Sequence, residues 1–91
     1  MRTVCIKAQL TTGYGALDRV LRHCERMGFE LQHLVVKRID DEAMELSARL
    51  GNVPASTIAS LAARLEHHFG VMDVAISEHR VTMREAELEL A

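Results

Sequence analysis

The sequence predicts a small α+β domain in which a strand–helix–strand unit is used twice. Three observations predict it. Residues 3–10 alternate between apolar and polar side chains, and Leu17 to Met27 repeat apolar residues at helical spacing. Each of two helical segments closes at a glycine, Gly28 or Gly70, that opens directly into an extended apolar stretch. At 91 residues the chain is one domain.

In the first strand Val4, Ile6, Ala8 and Leu10 share one side, and Thr3, Cys5, Lys7 and Gln9 share the other. Thr11 to Gly15 is a turn. Leu17, Val20, Leu21, Cys24 and Met27 then form the apolar stripe of a helix. Asp18 lies near the positive end of its dipole, and Arg22, His23 and Arg26 near the negative end. Gly28 suits the position just past the helix, where left-handed backbone carries no Cβ penalty. Phe29 to Ile39 is a second strand whose alternation changes phase between Leu31 and Leu34, which predicts a bulge or bend.

Asp40-Asp41 makes a hairpin turn. Met44, Leu46, Ala48 and Leu50 alternate with Glu45, Ser47 and Arg49 as a third strand, which Gly51 and Asn52 break. Pro54 suits the first turn of a second helix that points Ile58, Leu61, Ala62, Leu65 and Phe69 inward. Gly70 ends this helix, and Val71 to Ser77 is the fourth strand. The order is the ferredoxin-like βαββαβ plan: a four-stranded antiparallel sheet with two helices on one face. Cys5, Lys7, Gln9 and Val35 line the other face. Residues 1–77 form this domain, and residues 78–91 form a charged C-terminal tail.

Composition narrows the function. With two Phe, one Tyr and no Trp among 48% hydrophobic residues, the core is aliphatic and thin, a condition often relieved by oligomerisation. A net charge of −2 argues against nucleic acid as the main partner. No apolar run approaches the roughly 18 residues of a membrane span, and the chain enters a strand at once without a signal peptide, so the expected location is cytoplasmic. Cys5 and Cys24 fall on different sides of the sheet and are expected to stay reduced and unreactive. No local motif pairs a nucleophile with a base or cradles a phosphate, which leaves a small ferredoxin-like enzyme or metal carrier unsupported. Adjacent His67 and His68 point about 100° apart on a helix, His23, His33 and His79 lie on separate segments, and no metal-ligand spacing occurs.

Gly15-Ala16-Leu17, Arg19-Val20-Leu21, Gly28-Phe29, the apolar Leu34 and Val36, and Val71-Met72-Asp73-Val74-Ala75-Ile76 together resemble an ACT domain. More closely, they are similar to the small regulatory subunits of acetolactate synthase, in the short form found with the isozyme II type. The resemblance covers roughly residues 3–77. It implies a noncatalytic subunit that forms a homodimer through its sheet and activates the catalytic large subunit in branched-chain amino acid biosynthesis. FAD, thiamine diphosphate and magnesium then belong to that partner, and this chain carries no cofactor. The alternative is a free-standing ACT-type amino-acid sensor that regulates a different enzyme or a transporter.

Two groups of residues are candidates for sites. Thr12, Gly13, Tyr14 and Gly15 lead into a helix N-terminus, whose unpaired N–H groups suit an amino-acid carboxylate. The same glycines serve equally as a tight turn, and both readings stand. The resemblance implies an effector held in the dimer interface, against this turn, extended through Ala16 and Leu17, and against Glu30 and Leu31 at the start of the second strand. Relatives that bind valine usually carry Asn where this chain has Thr12, other ACT domains carry Asp there, and family members tend to carry Asn at the position of Glu30, so valine binding is expected to be weak or absent. Arg19, Arg22 and Arg26 form a basic stripe that is either a solvated face or a dock for an acidic surface.

Overall fold

The computed structural model describes residues 1–78. The predicted tail, apart from Glu78, lies outside the described residues. Strand β1 (Arg2–Thr11) leads to helix α1 (Gly15–Arg26), then to strands β2 (Glu30–Arg38) and β3 (Ala43–Val53). Helix α2 (Ala55–Glu66) and strand β4 (Val71–Glu78) complete the order. The strands form one antiparallel sheet in the order β2-β3-β1-β4, so β1 is central and β2 and β4 are its edges. This is the ferredoxin-like α+β architecture.

The alternation of β1 does what its pattern requires. Val4, Ile6, Ala8 and Leu10 are buried and pack with Leu46, Ala48 and Leu50 of β3 beneath both helices. Helix α1 adds Ala16, Val20 and Cys24, and α2 adds Leu61 and Leu65. The core is aliphatic except for Phe29, which enters it just before β2. On the opposite face, Lys7 stands between Ser47 and Ala75, and Ser47 is also paired with Val35. Val35 is 40% exposed there, as its position in the alternation implies.

Turn chemistry follows the sequence closely. Gly28 takes φ +78° just past Met27, the C-cap of α1. The phase change in β2 is a register shift between Leu31 and His33. In the hairpin, Asp40 Oδ1 accepts the N–H groups of Glu42 at 2.7 Å and Ala43 at 2.9 Å.

Four expectations are corrected. Gly51 and Asn52 do not end β3, which continues to the fully buried Val53. Instead the register slips between Arg2 and Val4, and Asn52 takes φ +58°, a left-handed conformation that Asn tolerates. Pro54 caps α2 in an extended conformation rather than lying inside its first turn. Met27 is partly exposed because α1 ends at Arg26, so this residue caps the helix and does not continue the buried line of Ala16, Val20 and Cys24. Phe69 is 81% exposed. Helix α2 stops at Glu66, so helical spacing no longer directs Phe69 inward, and Gly70 ends a turn rather than the helix.

Gly70 has a packing reason beyond its φ of +83°. A Cβ there would stand 3.1 Å from the Ala16 Cβ and 2.5 Å from Thr11 Oγ1. The turn is thus pressed against the start of α1. Two substitutions separate the core from the exposed ring. Leu61→Ala should lower unfolding free energy by about 2–5 kcal/mol through loss of a fully buried side chain. Phe69→Ala should cost under about 1 kcal/mol. Urea denaturation measures both, and equal losses would place Phe69 in the core after all.

Candidate functional site

The turn between β1 and α1 is held from both sides. Thr11 N–H donates to Gly70 O at 2.9 Å, and Thr12 N–H donates to Glu42 O at 3.3 Å. The Thr12 hydroxyl donates to Asp41 O at 3.3 Å. Gly13 adopts φ +96° and would meet no atom if it carried a Cβ. Tyr14 caps α1 without a side-chain hydrogen bond, so the first N–H groups of the helix are offered to whatever lies before them.

A groove beside this turn is lined, among the described residues, by Tyr14, Gly15, Leu17, Asp18 and Leu21. The structure therefore brings Thr12, Gly13, Tyr14, Gly15 and Leu17 into one region. Ala16 contributes only backbone, because its side chain is buried in the core. Glu30 and Leu31 are exposed and lie elsewhere. Glu30 pairs with Gly51, whereas Thr11 pairs with Ala43. The stretch of β3 between those rungs spans roughly 26 Å at ~3.3 Å per residue. One small ligand cannot touch both groups within one chain.

The three arginines do not act as a uniform stripe. Arg22 is neutralised by Asp18 one turn earlier, at 3.0 Å. Arg19 turns the other way, and its Nη1 donates to Phe69 O at 3.2 Å. Its guanidinium also stands 5.9 Å from the centre of the Phe69 ring. Arg26 and Glu25 line a surface of mixed charge with Asp18 and Arg22.

Sequence reasoning missed one contact. His23 of α1 and His68 of the turn before β4 meet at 3.2 Å, Nδ1 to Nε2, with their rings edge to face. Residues this far apart in sequence give no local signal of the pairing. His23 Nε2 is buried without a hydrogen-bond partner. Burial, then His68, Arg26 and Arg64, hold the His23 pKa below its ordinary value. Among the described residues no cluster of three metal-ligating side chains exists. Cys5 and Cys24 lie on opposite sides of the sheet, and burial pushes the Cys24 thiol up to about 11, which keeps it protonated.

The architecture defines a small ferredoxin-like α+β domain. No family model and no curated protein matches the chain. Solved structures share its fold. One is the C-terminal domain of the MgtC protein from Mycobacterium tuberculosis, at 13% identity and a TM-score of 0.67, with 87% of this chain and 88% of that one covered. Another is a formyltetrahydrofolate deformylase from Pseudomonas putida, at 11% identity and a TM-score of 0.62. Here 82% of this chain is covered but only 28% of the deformylase, so the likeness is to one part of that enzyme. No helix among the described residues is long and apolar enough to cross a membrane.

The histidine pair gives a pH dependence of defined sign. Below the unfolded value of 6.5 the unfolded chain takes up a proton that folded His23 resists, so stability falls as pH drops through 6.5 towards the lowered folded value. His23→Gln should flatten this dependence. Urea midpoints measured between about pH 7.5 and 5.5 test it, and an unchanged slope would assign the effect to other groups.

Proposed function

We propose that the chain is a noncatalytic regulatory subunit that works as a homodimer in the cytoplasm and activates the catalytic subunit of acetolactate synthase. FAD, thiamine diphosphate and magnesium belong, on this reading, to the catalytic partner. The sequence resemblance across residues 3–77 names the partner. The observation that carries the regulatory reading is the separation of Thr12–Leu17 from Glu30 and Leu31 to opposite ends of the sheet.

A second copy resolves that separation. Strand β2 is an edge with nine residues, and Leu31, Val35 and the adjoining Ile39 are 49%, 40% and 54% exposed. Such an edge is a template for pairing with another strand. If two β2 edges meet antiparallel, Glu30 of one copy comes beside Arg38 of the other. Arg38 pairs with Met44, and Met44 pairs with Leu10, just before the Thr12 turn. Two effector sites then form between the copies. Activation requires that this dimer bind the competent state of the enzyme more tightly than the idle one.

Weak or absent valine feedback is supported by two features. The N–H and hydroxyl of Thr12 are already engaged by Glu42 and Asp41 carbonyls, and Glu30 places a carboxylate where a ligand carboxylate would approach. The uncapped start of α1 favours a second reading, a free-standing ACT-type sensor that regulates another enzyme or a transporter.

Three measurements decide between them. Added to the purified catalytic subunit, the chain should raise acetolactate formation several-fold; no change at saturating concentration sinks the assignment. Calorimetry should detect no micromolar valine binding, and tight amino-acid binding without activation selects the sensor. Val35→Asp should shift the protein from dimer to monomer in light scattering, because the two added carboxylates would stand diagonally across the joined β2 edges in place of apolar side chains. A variant that remains dimeric places the interface elsewhere.

A further inference from the structure

The chain has two Phe and one Tyr, and only Phe29 is in the core. Tyr14 is 89% exposed and Phe69 81%. A single exposed ring is ordinary. These two emerge from adjoining backbone, because Gly70, next to Phe69, packs against Thr11 and Ala16 at either side of the Tyr14 turn. Arg19 adjoins both segments. Its Nη1 is bonded to Phe69 O, and the same nitrogen stands 3.2 Å from where a Cβ on Gly15 would be.

Arg19 keeps most of its donors for other uses. A guanidinium has five N–H groups, and the Phe69 carbonyl occupies part of one edge. Among the described residues Arg19 forms no ion pair, unlike Arg2, Arg22 and Arg38. The uncapped N-terminus of α1 adds positive potential at the same place. Two exposed rings on adjoining segments, one of them beside an arginine that forms no ion pair, match the composition of interface anchors, where Tyr, Trp and Arg dominate the energy. The patch is cationic, so it does not complement itself across a two-fold axis. Its complement is a carboxylate next to an apolar side chain.

We infer that Tyr14, Arg19 and Phe69 form a docking anchor for a partner protein, with an apolar side chain held beside the two rings and a carboxylate at Arg19. The identity of the partner rests on the regulatory reading above; the chemistry of the surface does not. The anchor replaces the basic stripe as the docking surface. Arg22 is already paired with Asp18 and has less charge to offer.

The test titrates full-length chain into the catalytic subunit of acetolactate synthase and reads the concentration giving half-maximal activation. Phe69→Ala and Arg19→Glu should raise it about tenfold or more, Tyr14→Ala several-fold, and Arg19→Lys less than Arg19→Glu. Ala59→Glu, exposed on α2 away from the patch, should leave it unchanged. The Arg19→Ala effect should shrink as salt approaches about 1 M while the Phe69→Ala effect persists. Thermal melts and light scattering on each variant report folding and oligomeric state. If the unmodified chain activates and all anchor variants stay within twofold of it, the anchor is wrong and the regulatory reading survives. If the unmodified chain neither binds nor activates, both fall. If the anchor variants lose the dimer, the patch joins copies of the chain, and the inference is overturned.

Discussion

The buried row Val4, Ile6, Ala8 and Leu10 on the central strand is the constraint on which the rest of the molecule depends. β1 is hydrogen-bonded on both sides, and its inward side chains share one buried cluster with residues of α1, β3, α2 and β4. A one-residue slip of this strand would turn all four outward. Because β3 and β4 both pair with β1, their loops close on its far end. Gly70 O and Glu42 O reach Thr11 and Thr12 from opposite directions. The position of the candidate effector turn is therefore a consequence of sheet pairing, and not a property of the turn alone.

Around the aliphatic core, α1 is joined to the turn before β4 by a short polar seam. Arg19 and His23 lie one helical turn apart and hold the consecutive residues Phe69 and His68. This seam explains three features together. The arginines do not form one stripe, because Arg19 is drawn away from Arg22. Phe69 stays outside, its carbonyl and ring both used by Arg19. His23 resists protonation chiefly because it is buried, and then because His68, Arg26 and Arg64 stand near it. The seam also couples the start of α1 to the strand that flanks β1.

The regulatory reading draws its physical sense from incompleteness. A domain with an exposed edge strand, a cationic aromatic patch and effector residues at two ends is suited to acting on something else. On the proposed reading, a second copy takes the edge of β2 and a protein partner takes the junction of α1 with the β4 turn.

The sequence by itself determined the element order, the layered plan and most turns, because these rest on short-range chemistry. Alternation every second residue defines a half-buried strand, and Gly28 and Asp40 have conformational or hydrogen-bonding roles that need only their neighbours. Tertiary structure alone decided where helices stop relative to the core and which distant residues meet. Phe69 fits a helical stripe on paper, but α2 ends at Glu66 and the ring goes outward. Gly51 and Asn52 read as breakers, yet pairing with β1 and β2 carries β3 through them. Thr12 and Glu30 look like one site in a family pattern and stand at opposite ends of one sheet. His23 and His68 look unrelated and touch. Periodicity encodes which face a residue takes, but contact between elements depends on register and chain path, which no local pattern contains.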